Sequence, residues 1–223
     1  MANVVVLGAG FAGQTAALYL KKELGQEHAV TVISGWPRFT YIPSLVWVGV
    51  GQMAPEKTQF ELAPVFEKHG IDFIQGWARE VYTDDQYVVV ETKDGEKTKV
   101  QYDYLINATG PYLNFEGTEG LGPDAGNSHS ICNIHHAKLA RDAYLEQVKR
   151  MEKGEHVKIL VGTGHPLATC QGAAFEYITN IHNDLVERGL RDKATIMWMS
   201  NEPALGDFGM GGIRAKKHGY VMK

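Results

Sequence analysis

The sequence predicts an α/β fold from three observations. Two short apolar runs, "NVVVL" at 3–7 and "HVKILV" at 156–161, each lead into a glycine-containing turn and then into a helical pattern. Between them lie several β-branched and aromatic runs that are separated by turn residues. A buried strand that ends in glycines and precedes a helix is typical of dinucleotide-binding units. We therefore predict a Rossmann-like domain with an antiparallel β-meander, followed by a partial second Rossmann-like domain.

The composition excludes several classes of protein. The 223 residues are 44% hydrophobic and 22% charged, which is typical of a soluble globular chain. A net charge of -4 gives no basic surface of the kind that binds nucleic acid. No apolar stretch reaches the roughly 20 residues of a membrane-spanning helix, and no charged leader precedes the first strand. Two cysteines do not make a disulfide framework, so they are buried bystanders or redox or metal groups.

The elements of the predicted first domain follow in order. The strand at 3–7 leads into a helix over 11–24, which Gly25 ends, and "AVTVIS" at 29–34 forms the next strand. These three elements make a βαβ unit. Residues 36–55 are rich in aromatics, glycine and proline and are predicted to form a long ordered loop. A helix is predicted around 59–69.

The rest of the chain gives the meander and the second unit. Three strand patterns between "AREVYTD" and "KTKVQYDYLI" include a hairpin at "KDGE". Helices are predicted over 135–154 and 169–188, on either side of the second apolar run. We expect three parts: a nucleotide-binding domain over 1–120, a connecting loop and helix over 121–152, and the start of a degenerate dinucleotide-type domain over 153–223.

The first glycine turn fits the pattern G-x-G-x-x-G with Gly8, Gly10 and Gly13. The first glycine permits a tight turn, the second lets the backbone approach a pyrophosphate, and the third lets the helix pack on the strand. The strand that follows ends in Ser34 and Gly35, where an acidic residue for the ribose is usual. A serine hydroxyl binds ribose less strongly than a carboxylate, which disfavours NAD at this turn and leaves FAD open.

The second turn is incomplete. Gly162 and Gly164 are present, but Leu167 replaces the third glycine, and we expect it to hold the helix off the strand and crowd a pyrophosphate. Cys170 falls near the start of the next helix, where unpaired N–H groups and the helix dipole favour a thiolate. A small buried hydrophobic role for Cys170 is an equally open reading.

The other cysteine, Cys132, stands in "NSHSICNIHHA" beside His129, His135 and His136. A neighbouring imidazole can favour the thiolate or carry a proton. A Cys-x-x-His pair is also typical of zinc sites, but a second tight pair at ligand spacing is lacking, so we predict no metal site.

Five segments together resemble sulfide:quinone oxidoreductases, which are disulfide-reductase-like flavoproteins. These segments are "VVVLGAGFAG", "VISGWPRFTYIPSLVWVGVG", "YDYLINATGP", "HSICNIHHA" and "ATCQGAAFEY". The resemblance implies FAD as cofactor, bound noncovalently or through one thioether. The residues that would line it are Gly8, Gly10, Gly13, Ser34, Gly35, Pro43, Ala78, Thr109 and Gly110.

The resemblance also implies the residues that carry the chemistry. Cys170 matches the redox cysteine near the flavin, Cys132 an auxiliary cysteine, and His136 and Glu176 polar residues associated with proton handling. In some members a histidine stands where this chain has Asp207, which puts that acid–base role in doubt. Hydrosulfide would attack a bridge containing Cys170, and the released thiolate would add to flavin C4a before two electrons pass to a quinone.

The expected partners are hydrogen sulfide, a membrane quinone and a C-terminal half absent from these 223 residues. That half would hold the third cysteine, the quinone pocket and the membrane contact, so the chain alone could be inactive. We expect a peripheral membrane protein on the cytoplasmic or periplasmic face of a prokaryotic membrane, with a homo-oligomer allowed.

Three alternatives stay open. A type II NADH:quinone dehydrogenase would want an intact second glycine turn, against which Leu167 argues. A non-catalytic flavin-binding scaffold would need no partner thiol. A simple disulfide reductase would want paired cysteines in the first helical region, where none occurs.

Overall fold

The computed structural model describes residues 2–202. Its strands are β1 (Asn3–Leu7), β2 (Ala29–Ser34), β3 (Arg38–Thr40), β4 (Gln59–Glu61), β5 (Asp72–Gln75), β6 (Trp77–Tyr82), β7 (Tyr87–Glu91), β8 (Lys97–Gln101), β9 (Tyr104–Asn107), β10 (Val157–Gly162) and β11 (Ala194–Met199). Its α-helices are α1 (Phe11–Leu24), α2 (Leu45–Gly49), α3 (Leu62–Lys68), α4 (Ile134–Glu152) and α5 (Gln171–Glu187).

The chain forms two compact units. The first comprises the residues up to Thr40 together with 59–113, and the second comprises 41–58 together with the described residues from Asn114 onward. The three-part division expected from the sequence stays a prediction. Among the described residues, no helix combines the length and the apolar character needed to cross a membrane.

A four-stranded parallel sheet lies at the centre of the first unit, in the order β5-β2-β1-β9. In the register of this sheet, Leu7 of β1 stands opposite Ile33 of β2 and Asn107 of β9. The strands β6, β7 and β8 form a separate antiparallel meander. This arrangement confirms the predicted Rossmann-like α/β fold.

Strand β1 is buried on both faces, as its continuous apolar run predicts. Val4 and Val6 pack in a cluster with Leu62 and Phe66, residues of α3. The alternate residues Val5 and Leu7 pack in a second cluster with Val88 and Val90 of the meander. The sheet is therefore covered by helices on one face and by the meander on the other.

The long loop predicted over 36–55 was wrong. Strand β3 pairs with β4, and the helix α2 lies within the predicted loop. Leu45 and Val48, three residues apart on one helical face, are fully buried with Ala137 of α4. The burial of this apolar face outweighs the local glycine, proline and aromatic content, which is typical of loops.

The second unit packs α4 and α5 beside the parallel pair β10 and β11. Tyr144, Val148 and Met151 of α4 share one buried cluster with Ile181 and Leu185 of α5. Both helices occupy the predicted positions, with ends that differ from prediction by a few residues, which is the usual uncertainty for helix ends.

Candidate active site

The first glycine turn has the geometry of a phosphate cradle. Gly8 has φ +94°, and a Cβ atom there would run into the carbonyl oxygen of Ala108. A Cβ at Gly13 would run into the carbonyl oxygen of Gly8. A Cβ at Gly10, in contrast, would meet no atom within 4 Å. The first and third glycines are thus required by close packing, whereas the second faces open space, which fits the pyrophosphate of a dinucleotide.

The start of α1 completes this cradle. Gly10 is the N-cap and offers no capping side chain, and the first helical turn has no acidic residue. The positive end of the helix is therefore available to a phosphate group. Gln14 holds the turn in place, because its side-chain amide donates to the carbonyl oxygen of Ala9 at 3.1 Å.

The segment after β9 lies against the same turn. The amide of Ala108 donates to the carbonyl oxygen of Leu7 at 2.8 Å. The Thr109 amide and hydroxyl both donate to the side-chain oxygen of Asn107, at 3.2 and 2.8 Å. Gly110 follows with φ +78° and open space around its Cα. The structure therefore brings Thr109 and Gly110 to the glycine turn.

Of the other proposed flavin-binding residues, Ser34 and Gly35 lie beside the glycine turn, because the Gly8 amide donates to the carbonyl oxygen of Ile33 at 2.8 Å. Ser34 ends β2, next to Gly35, and Ala78 lies on β6, paired with Val90. Pro43 belongs to a 3₁₀ turn over Ile42–Ser44 in the second unit.

The second glycine turn differs from the first in its length. The helix α1 begins directly after Gly10, whereas α5 begins only at Gln171, well beyond Gly164. Leu167 lies within the intervening segment and is 83% exposed. The expectation that Leu167 would hold the helix off the strand was wrong, because the longer connection carries this side chain into solvent. No helix begins directly after these glycines, so no helix N-terminus is available beside them to bind a pyrophosphate.

Asn201, which the sequence analysis missed, pins this longer segment. Its side-chain amide donates to the carbonyl oxygens of Pro166 and Ala168, at 2.8 and 3.0 Å. Its side-chain oxygen accepts from the Thr163 hydroxyl and from the Gln171 amide, both at 3.1 Å. A single asparagine far along the chain gives no periodic signal, so only the tertiary structure shows it.

Cys170 is the N-cap residue of α5, which confirms its predicted place at the head of this helix. Its backbone is left-handed, with φ 64° and ψ 35°, a conformation that costs a non-glycine residue of the order of 1 kcal/mol. The side chain is exposed, and the Thr169 hydroxyl lies 4.0 Å from its sulfur. The fold therefore exposes this thiol on the second unit rather than burying it.

Cys132 lies just before α4 and is also exposed. Asn133 caps that helix by accepting from the His136 amide at 2.8 Å, and its side-chain nitrogen lies 3.1 Å from His136 Nδ1. Burial lowers the pKa of His136, and the nearby His135 lowers it further, while Asp124 opposes the shift. His136 is therefore neutral at neutral pH and able to accept a proton.

Gly49 of α2 lies against both segments of the second unit that carry a cysteine, the one before α4 and the one that begins α5. A Cβ at Gly49 would lie 3.1 Å from the side chain of Ile131, the neighbour of Cys132, and 2.7 Å from the Tyr177 ring. The Tyr177 hydroxyl donates to the Gly49 carbonyl oxygen at 3.1 Å. Tyr177 lies about two turns after Cys170 on the same face of α5. The two segments thus share one support, although both thiols are free.

Two further site residues were proposed from the sequence. Glu176 is exposed on α5, and Asp207 lies outside the described residues. Within 2–202, no group of three or more histidine, cysteine or acidic side chains could hold a metal ion.

A buried polar network, also missed by the sequence analysis, joins the two helices below the thiols. Asp184 is 4% exposed and accepts from the Tyr144 hydroxyl and from Arg188 Nε, both at 2.6 Å. Burial, and then the hydrogen bond to Asp184, raise the pKa of Tyr144, while that carboxylate also raises the pKa of Arg188. The network holds α5 in place on α4.

A glycine turn of this geometry on a parallel sheet is the dinucleotide-binding arrangement of Rossmann-like proteins. Residues 2–168 match the family model described as pyridine nucleotide-disulphide oxidoreductase. The chain belongs to this family, and its cofactor is FAD.

The similar proteins point to one branch of the family. The chain is 35% identical, over 217 residues, to the sulfide-quinone reductase of Aquifex aeolicus, covering 96% of this chain and 46% of that protein. The crystal structure of the sulfide:quinone oxidoreductase from Aquifex aeolicus superposes with a TM-score of 0.82 and 33% identity, covering 97% of this chain and 47% of that one. The resemblance predicted from the sequence is confirmed.

A more distant likeness shows the fold alone. The structure of NDH2 from Plasmodium falciparum gives a TM-score of 0.66 at 19% identity, covering 89% of this chain and 41% of that one. The chain spans about half the length of the curated relatives it matches.

Proposed function

We propose that the protein oxidises hydrogen sulfide and passes the electrons to a quinone. One observation carries the proposal: Cys170 presents an exposed thiol at the head of α5, beside a second turn whose long connection separates its glycines from the helix start. A reactive sulfur would therefore stand where relatives that use NADH would need a phosphate cradle. The names of the relatives support the substrates.

Cys170 would act as the sulfur that hydrosulfide attacks. In its oxidised form its sulfur is bonded to a partner sulfur, and attack by hydrosulfide forms a new S–S bond to Cys170. The bond to the partner sulfur breaks, and that sulfur leaves as a thiolate carrying the electron pair. Cys132 would be an auxiliary thiol. The partner cysteine would belong to the C-terminal half, as the family resemblance implies.

His136 and Glu176 would handle protons. His136 is neutral because burial lowers its pKa, so it can accept a proton released from sulfide. The Asn133 side-chain nitrogen donates to Nδ1, because the Asn133 oxygen accepts from the His136 amide, so the neutral imidazole carries its proton on Nε2 and would take up a further proton at Nδ1 by giving up this contact. Glu176 is exposed and can pass a proton to solvent.

The first unit would hold FAD. Gly8, Gly10 and Gly13 form the pyrophosphate cradle, with Thr109 and Gly110 beside it. The remaining contacts would come from Gly35, Pro43 and Ala78 and from the backbone of Ser34, whose hydroxyl is bonded to Trp36. When bound, FAD supplies the two-electron redox chemistry that amino-acid side chains lack.

The quinone site and the membrane contact would belong to a C-terminal half that these 223 residues do not include. The proposed placement is peripheral, on the cytoplasmic or periplasmic face of a prokaryotic membrane. The relatives are about twice as long as this chain, which supports a division of the two sites between the halves. A homo-oligomer is compatible with this arrangement.

Anaerobic reduction of the flavin tests the proposal. The flavin-loaded protein, joined to the C-terminal half that would carry the partner cysteine, is mixed separately with sulfide and with NADH, and the visible flavin absorbance is followed. Bleaching by sulfide and not by NADH is expected. Bleaching by NADH alone would replace the proposal with an NADH:quinone dehydrogenase, and no bleaching by either donor would leave a flavin-binding scaffold.

A further inference from the structure

The end of β2 lacks the carboxylate that usually binds the adenosine ribose, and an aromatic ring fills its place. A Cβ on Gly35 would run into the indole of Trp77, against its Cδ2, Cε2 and Cζ2 atoms. Any side chain at position 35 is therefore excluded while Trp77 stays where it is. An acidic residue there, which would point toward a ribose, is ruled out by packing as well as by the sequence.

The neighbouring serine is occupied. The Ser34 hydroxyl donates to the carbonyl oxygen of Trp36 at 3.2 Å and accepts from the Trp36 amide at 3.3 Å. Ser34 as a whole is also only 9% exposed. Its proton and one lone pair are thus used inside the protein, which leaves it a poor ligand for a ribose hydroxyl. These same two bonds fix the backbone of Trp36.

Trp36 carries the exposed ring at this corner. Its indole is 67% exposed and meets the Trp77 ring edge-to-face, with centroids 5.5 Å apart and planes at 80°. Arg79 lies over Trp77 at 6.0 Å from the ring centroid and pairs with Glu91 at 3.4 Å. Trp77 is 42% exposed and is contacted by both Trp36 and Arg79, whereas Trp36 retains the larger accessible surface.

This corner adjoins the phosphate cradle. The Gly8 amide donates to the carbonyl oxygen of Ile33 at 2.8 Å, which ties the glycine turn to the end of β2. The Gly76 amide donates to the Ser34 carbonyl oxygen at 2.9 Å, which brings the start of β6 to the same end. A dinucleotide whose pyrophosphate lies at the turn extends its adenosine toward the end of β2.

We propose that the indole of Trp36 stacks on the adenine of FAD, and that Trp77 fills the place of the ribose-binding carboxylate while holding Trp36 in position. The adenosine end is then held by stacking rather than by a charge-assisted hydrogen bond. Base–aromatic stacking contributes about 1–3 kcal/mol, which corresponds to about 5- to 150-fold in affinity. The proposal depends on the family's cofactor and not on sulfide as the substrate.

Binding of FAD and of FMN to the flavin-free protein tests the stacking. FMN lacks the adenosine, so it reports on the flavin end alone. Trp36→Ala is expected to weaken FAD binding about 5-fold or more and to leave FMN affinity unchanged, while Trp36→Phe retains most of the FAD affinity. Tyr19→Ala, which removes an aromatic ring of 64% exposure on α1, is the matched control. An unchanged ratio of FAD to FMN affinity in Trp36→Ala would overturn the proposal.

A double-mutant comparison tests the placement of Trp77. Gly35→Asp is expected to lower the Tm of the protein because its Cβ collides with the indole, and to cost little when combined with Trp77→Ala. An equal loss of Tm in both backgrounds would show that Trp77 does not occupy this space. Neither measurement involves sulfide, so failure of the sulfide proposal leaves both results interpretable.

Discussion

The carbonyl oxygen of Gly8 lies where a Cβ atom of residue 13 would stand, so α1 can pack on its turn only with glycine at that position. Gly13→Ala is therefore expected to destabilise the fold by about 1–3 kcal/mol through overpacking. A thermal melt of the flavin-free protein measures this loss.

Gly10→Ala is the matched control for the cradle. Its Cβ meets no protein atom within 4 Å, and its φ of -75° suits alanine, so the Tm of the flavin-free protein should not change. The same methyl group enters the space proposed for the pyrophosphate, so FAD affinity should fall about tenfold or more, a loss of about 1.4 kcal/mol. Unchanged FAD binding in Gly10→Ala would contradict the location of the cradle.

The buried carboxylate between α4 and α5 gives a second prediction. Asp184→Asn replaces an acceptor of two short hydrogen bonds with a group that places a donor against donors. We expect a loss of about 1–3 kcal/mol in the free energy of unfolding, measured by urea titration, because the new amide donor faces the Tyr144 hydroxyl, whereas the charge of Arg188 is exposed and stays solvated. Tyr144→Phe should cost about 1–3 kcal/mol. Glu187→Gln, an exposed change on the same helix, should cost almost nothing.

The cap of α4 gives a third prediction. Asn133→Ala removes the acceptor of the His136 amide and should lower the free energy of unfolding by about 1 kcal/mol. Asn133→Ser retains a capping oxygen and should restore most of that stability. Equal stability of the alanine and serine variants would show that the cap contributes nothing.

The pH dependence of His136 follows from its burial. Its folded pKa lies below the ordinary value of 6.5, so the unfolded chain binds the proton more readily. The stability linked to this group is fully present above pH 6.5 and is lost as the pH falls toward the folded pKa. A proton NMR titration of the imidazole should give a midpoint below 6.5. A midpoint above that value would contradict the burial of the ring.

The sequence alone was sufficient to predict the elements of the fold that are marked by a local pattern. Strand β1, helix α1 and the glycines between them show a local pattern that needs no knowledge of the rest of the chain. The place of Cys170 at a helix start followed from the apolar spacing after it. Both signals are local, so contacts with distant residues do not override them.

The rest of the site depends on contacts between distant residues. Asn201 pins a loop that precedes it by more than thirty positions, as its bond to Pro166 shows. Trp77, which lies on β6, leaves no room for a side chain at position 35, which follows β2. The helix α2 forms because its apolar face is buried against Ala137. None of these pairs has a periodic spacing, so no pattern in the sequence could indicate them.

The thiol of Cys170 can be removed without damage to its backbone. Cys170→Gly deletes the thiol and also relieves the left-handed conformation, so its Tm should exceed that of Cys170→Ala, with a difference of about 1 kcal/mol in stability. A thiol-reactive dye should label both cysteines of the native protein, because both are exposed, and only Cys132 in either variant.

The rate of anaerobic flavin bleaching by sulfide in these two variants, each joined to the C-terminal half that would carry the partner cysteine, tests the central claim most directly. Cys170→Gly and Cys170→Ala should each lose the reaction by about 100-fold or more, an increase of about 2.7 kcal/mol in the barrier. Leu167→Ala, on the same exposed segment, should retain the wild-type rate. Wild-type rates in both Cys170 variants would contradict the account, because sulfide would then reduce the flavin without this thiol.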